Sequence, residues 1–210
     1  MGQLLLVRHG QASWGAADYD VLSPKGEDQA RSVGRALARL RPDVVVHGSL
    51  RRQRRTTELA VAAAGWSTTP ATDPRWDEMD HEAVLAAQPR DFEGRPDARQ
   101  FQAWFEAATT RWTSGDHEAD YDEAFPAFRA RVAAALEELA DAGTAVVVTS
   151  GGPVASVAAQ LLDAGLSTYT RLAPVVVNAS VTRVVSGRRG PTLVSFNEHQ
   201  HLTADLLTYR

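Results

Sequence analysis

The chain has 210 residues, 44% of them apolar and 23% charged, with a net charge of −4 and no cysteine. That length suffices for one domain with a sizeable core, and the composition excludes disulfides, thiolate nucleophiles and cysteine metal sites while giving no reason to expect a nucleic-acid or membrane partner. No basic start is followed by a signal-length apolar stretch and no apolar run approaches membrane-spanning length, so the cytoplasm is the expected location.

The first apolar run, Leu4-Leu5-Leu6-Val7, is long enough for a short buried strand and too short for a buried helix. It ends in Arg8-His9-Gly10. Read alone, that ending is either a cation beside an imidazole that can hold and attack an anion, or two solvated polar residues at a strand end. Residues 11–20 mix small, polar and aromatic types without a period and read as a loop. Ser23 as N-cap and Pro24 at the first helical position then start a helix. Ala30, Val33, Leu37 and Leu40 give that helix its apolar face, and Pro42 stops it.

Val44-Val45-Val46 reads as a second short strand. After Gly48-Ser49-Leu50 comes a helix with arginine at 51, 52, 54 and 55, an apolar face of Leu59, Ala60 and Ala63, and Gly65 at its end. Arg51, Arg54 and Arg55 share one helix face and Arg52 points away from Arg54, so the four cannot serve one purpose. From 66 to 125, prolines at 70, 74, 89 and 96 break the chain into short pieces. Nine of the fifteen aromatic residues lie between Trp76 and Phe128, and Phe101, Trp104, Phe105, Ala108 and Trp112 line one helix face, a pattern that predicts core packing.

A further helix begins near Asp122 with Pro126 in its first turn, and Gly143 follows its end. Ala145–Val148 is a third buried strand running into Thr149-Ser150-Gly151-Gly152-Pro153 and a helix. Ser180–Val185 and Thr192–Phe196 flank Gly187-Arg188-Arg189-Gly190 and predict a hairpin at or near a sheet edge.

This alternation predicts an α/β fold, a three-layer α/β/α sandwich with a mostly parallel sheet and a helical insertion at about 76–125 over the strand carboxyl ends, the whole of 1–210 forming a single domain. Ligands of such sheets bind at the carboxyl ends of the strands. Three ends can be located: Arg8-His9-Gly10, Gly48 to Arg52, and Ser150-Gly151-Gly152. Arginines offer planar forks of donors to phosphate. Neutral imidazole can attack phosphorus, neighbouring arginines disfavour the imidazolium, and a protonated carboxyl must then supply the leaving alkoxide.

Leu6-Val7-Arg8-His9-Gly10-Gln11 resembles the signature of the histidine phosphatase superfamily, the phosphoglycerate-mutase-like enzymes. Leu22-Ser23, Gly26 and Gln29-Ala30 resemble its next block; Gly48-Ser49-Leu50-Arg51-Arg52, ending in Thr56, is similar to its Ser-x-Leu-x-Arg-x-x-x-Thr block; and Val147 to Gly152 resembles the block that normally reads Val-x-His-Gly-Gly. The resemblance implies a metal-independent phosphomonoester hydrolase or phosphoryl transferase acting through a phosphohistidine on His9. Arg8 and Arg52 would bind the phosphate, with backbone donors at Gly10 and Gly151, and Glu78 matches the position of the proton donor. It implies a phosphorylated small-molecule substrate, no cofactor and no metal.

Two positions depart from the pattern: Ser150 stands where the family has its second histidine, and Gly15 where an asparagine is often found. Ser150 can donate a hydrogen bond but offers no cation. His47, His81, His199 and His201 are read as surface or structural rather than as its replacement. Three alternatives stay open: a phospho-ligand binding protein with weak or lost turnover, a mutase, which the short broken insertion disfavours, and a hydrolase with Ser150 as nucleophile. The last lacks the first glycine of Gly-x-Ser-x-Gly, since residue 148 is valine.

Overall fold

Alternation along the first strand sets the layers. In the computed structural model, which describes residues 2–13, 19–94 and 96–209, β1 (Gly2–Arg8) turns Leu4 and Leu6 to one face of the sheet and Leu5 and Val7 to the other. On the Leu5 side, Val33 and Leu37 of α1 (Pro24–Leu37) meet Val45 of β2 (Val44–His47) and Ala60 of α2 (Arg51–Ala64). Ser23 caps α1 by accepting from the Gly26 amide at 3.1 Å, and Gly65, at φ 68°, closes α2. Gly15 lies outside the described residues.

The two-residue strand β3 (Ala71–Thr72) carries no apolar signature in the sequence; both residues are exposed, so only its backbone pairing with β2 defines it. The insertion then supplies α3 (His81–Ala86) and α4 (Ala98–Ser114), followed by α5 (Phe125–Glu138), β4 (Thr144–Thr149) and α6 (Gly151–Leu161). As the aromatic periodicity predicts, Trp104, Ala108 and Trp112 are buried in the core on the Leu4 side, with Phe128, Val132 and Leu136 of α5 and Val154 and Val157 of α6. The short α7 (Leu166–Leu172), which no apolar period in the sequence marks, adds Tyr169, whose ring lies 4.8 Å from that of Phe125. The hairpin of β5 (Val181–Gly187) and β6 (Gly190–Glu198) completes the molecule.

The strands run in the order β3-β2-β4-β1-β5-β6. β2 pairs parallel with β3 and β4, and β4 with β1, while β5 is antiparallel to both β1 and β6, which forms the edge. Val7 lies opposite Val148 and His47 opposite Val148 on its other side, so β1, β4 and β2 end level with one another. Arg8-His9, Ser150-Gly151 and the start of α2 therefore emerge side by side. Among the described residues, no helix is long and apolar enough to cross a membrane.

Candidate active site

His9 leaves β1 buried, 4% exposed, and its Nδ1 lies 2.7 Å from the Gly10 carbonyl. A carbonyl only accepts, so Nδ1 carries the proton and Nε2 keeps its lone pair. That lone pair accepts from Arg52 Nε at 3.1 Å. Burial, then the charges of Arg52 and Arg8, hold the imidazole well below its ordinary pKa, so it is neutral at pH 7. The His9 carbonyl is braced in turn by Asn178 Nδ2 at 3.2 Å and the Ala179 amide at 3.3 Å.

Arg8 and Arg52 converge from different strand ends. Arg8 Nη1 donates to the Val176 carbonyl and, at 2.9 Å, to that of Tyr209. Its Nε–H is buried and has no partner among the described residues. Burial pulls the Arg8 pKa down to about 10, against the opposing pull of Glu78; the residue stays cationic at neutral pH. Arg52, 6% exposed, is the inward arginine of α2, whereas Arg51, Arg54 and Arg55 lie at the surface, with Arg55 paired to Glu27 at 2.9 Å. Arg52 is steered by a residue the sequence did not mark. Asp20 accepts from Arg52 Nη1 at 2.8 Å and from the Arg51 amide, also at 2.8 Å, and so serves the helix N-terminus that Leu50 cannot cap.

Glu78 is no exposed loop carboxylate. Its Oε2 accepts from the Gly152 amide at 3.0 Å, at the start of α6, and a β carbon on Gly152 would lie 2.0 Å from its Oε1. The turn that carries it is fixed by Arg131, which donates at 2.8 Å to the carbonyls of both Arg75 and Asp77 and is itself held by both oxygens of Glu123. Nothing in the spacing of Arg131, on a helix some fifty residues away, announces that task.

Gly10 has a different role from the phosphate donor expected. Its amide is spent on Thr56 Oγ1 at 3.1 Å. The glycine is needed because a β carbon would lie 2.2 Å from the Gly26 carbonyl, where the loop packs on α1. Gly151 lies against Arg8, its β position 3.7 Å from Arg8 Nε. Ser150 is fully buried and accepts from Gln53 Nε2 at 3.0 Å. The four histidines weighed as stand-ins for the second histidine have structural partners: His47 with the Gly48 carbonyl at 2.6 Å, His199 with that of Asn197 at 2.6 Å, His201 with that of Ala179 at 3.0 Å, and His81 edge-on to Tyr19.

The site thus joins a neutral buried imidazole, two arginines and a carboxyl group where parallel strands end, an arrangement that can hold an anionic group against the imidazole. A family model for the histidine phosphatase superfamily (branch 1) matches residues 4–199, and the chain belongs to that superfamily of enzymes. It is 31% identical over 132 residues to a 2,3-bisphosphoglycerate-dependent phosphoglycerate mutase of Corynebacterium kroppenstedtii, covering 58% of this chain and 53% of that one. It is 44% identical over 79 residues to the enzyme of the same name from Thermobifida fusca, covering 33% and 32% respectively. These matches span between about a third and a half of the curated relatives' length. In fold it is similar to a phosphoserine phosphatase of Entamoeba histolytica solved with phosphoserine, at TM-score 0.71 and 22% identity over 97% of this chain and 100% of that one.

Proposed function

We infer that the chain is a metal-independent phosphomonoesterase that works through a phosphohistidine on His9. The observation that carries this reading is the imidazole itself: buried, neutral, its Nδ1 proton tied to the Gly10 carbonyl and its Nε2 lone pair presented to Arg52. On substrate binding the phosphoryl oxygens take over the donors of Arg52 and engage the unpaired Nε–H of Arg8. Nε2 attacks phosphorus, the phosphorus–oxygen bond to the leaving group breaks, and the departing oxygen takes a proton from the Glu78 carboxylic acid. Water then attacks the phosphohistidine, losing its proton to the Glu78 carboxylate, and phosphate leaves with His9 restored.

Relatives named as mutases and a fold neighbour named as a phosphatase support phosphoryl transfer to or from a phosphorylated small molecule. Hydrolysis is preferred to a mutase reaction because the insertion between β3 and α5 is short and its helix α4 is packed into the core. The binding-protein alternative is motivated by Ser150, which brings no positive charge. Steady-state hydrolysis of p-nitrophenyl phosphate decides between them. Turnover that disappears in His9→Ala is expected; tight orthophosphate binding without turnover on a broad phosphomonoester panel would establish the binding protein instead.

A further inference from the structure

The buried carboxamide of Gln53 is fully enclosed and its orientation is dictated by its neighbours. The Trp76 carbonyl, 3.1 Å from one end, can only accept, and the Leu50 amide, 3.3 Å from the other, can only donate. Nε2 must therefore face Trp76 and Oε1 must face Leu50. The second Nε2 hydrogen then points at Ser150 Oγ, 3.0 Å away, so the serine oxygen is an acceptor in that bond. Its own proton has no acceptor among the described residues.

A serine at a helix N-cap ordinarily turns its oxygen onto the amides of the first turn. Ser150 occupies the N-cap of α6 and makes no such bond. Glu78 has taken the Gly152 amide, and Gln53 has drawn the hydroxyl oxygen away from the helix. Room for the carboxamide is made at Gly48, where a β carbon would lie 2.1 Å from Gln53 Oε1 and 2.3 Å from Asp77 Oδ1. Gly48, Gln53 and Ser150 are thus one packing unit drawn from the ends of β2, α2 and β4.

We propose that Gln53 is a positioning residue that fixes Ser150 Oγ as an acceptor so that its O–H becomes a donor to the transferring phosphoryl group. This rests on the phosphohistidine reading of His9. Ser150 would then be a catalytic residue supplying a neutral oxyanion donor beside the two arginines, and Gln53 would act only through it. Two features of α2 serve the site in different ways: Arg52 touches the phosphoryl group, and the next residue aims a hydroxyl at it.

The test is a double-mutant cycle on Ser150→Ala and Gln53→Met, with kcat, KM and orthovanadate and orthophosphate affinities measured for each protein and folding checked by circular dichroism. Ser150→Ala should lower kcat by about 10²–10³, the cost of one oxyanion donor, and weaken orthovanadate in proportion while changing orthophosphate affinity little. Gln53→Met should lower kcat at least about tenfold alone and less than about threefold in the Ser150→Ala background, since residues acting as one unit are not additive. If Gln53→Met does not fold, Gln53→Leu, which likewise removes the carboxamide and leaves Gly48 and Asp77 in place, should give the same pattern. His9-dependent turnover with Ser150→Ala within about threefold of wild type, or equal losses from Gln53→Met in both backgrounds, overturns this proposal alone. Absence of His9-dependent turnover in the wild type overturns the phosphohistidine reading and this proposal together.

Discussion

His9 carries its proton on Nδ1 because the Gly10 carbonyl is 2.7 Å away, and it resists a second proton because it is buried between two guanidinium groups. The consequence for stability has a definite sign. In the unfolded chain the imidazole takes up a proton as pH falls through its ordinary 6.5, while in the native protein it does so only well below that value. The unfolded state therefore binds more protons in the interval, and native stability falls as pH drops below 6.5, by up to about 1.4 kcal/mol per pH unit for one group. The half-buried His201, also lowered by desolvation first, adds to the same slope. Urea denaturation at a series of pH values between 7 and 5 should show this loss, and His9→Asn should flatten it. An unchanged slope in His9→Asn would mean that the imidazole titrates normally. Arg8 and His9 were legible in the sequence because they end an apolar run. Asp20, Gln53 and Asn178 were not, because each acts through a contact with a residue distant in the chain, and no local pattern encodes such a partner.

At the scale of elements, the insertion matters most where it begins. Trp76–Glu78 lie over the ends of β2 and β4: the Trp76 carbonyl accepts from Thr149 and Gln53, Asp77 accepts from the Ser49 amide, and Glu78 meets α6. Arg131 on α5 ties this turn down through its carbonyls, while its guanidinium lies 4.7 Å from the Phe128 ring. Arg131→Ala leaves those carbonyls without their donor, at a cost of about 1–3 kcal/mol, and frees the turn that aims Glu78. Because a proton donor matters most for a poor leaving group, the variant should lose more activity toward an alkyl phosphate than toward p-nitrophenyl phosphate, as Glu78→Gln should. Equal losses on both substrates would separate Arg131 from the role proposed for Glu78. The helices α1 and α2 were legible from their apolar periods and one end signal each, and α4 from its aromatic period alone; α1 stops at Leu37, short of the expected Pro42. β3 and α7 were not: β3 is two exposed residues held by backbone pairing, and α7 is short and buries little besides Tyr169.

The whole molecule brings the site together by stopping β1, β4 and β2 at one level and closing the gap behind them with the C-terminal segment. Gln29, fully buried, accepts from the Gln11 amide at 2.7 Å and donates to the Leu206 carbonyl at 2.6 Å and to Thr208 Oγ1 at 2.8 Å. Thr208 bonds Asn178, which braces His9, and the Tyr209 carbonyl accepts from Arg8. Gln11, the helix α1 and the last described residues are therefore one support for Arg8 and His9. This support explains why Gln29 and Gly26 accompany Arg8-His9-Gly10 at a distance in the sequence. The phosphohistidine proposed on His9 Nε2 can be trapped by rapid acid-free quenching of the enzyme with a radiolabelled phosphomonoester. Up to one phosphate per chain, labile to acid and stable to base, is expected on the wild type and none on His9→Ala; equal labelling of His9→Ala, or turnover with no labelled protein at any time point, would exclude a phosphohistidine at this residue.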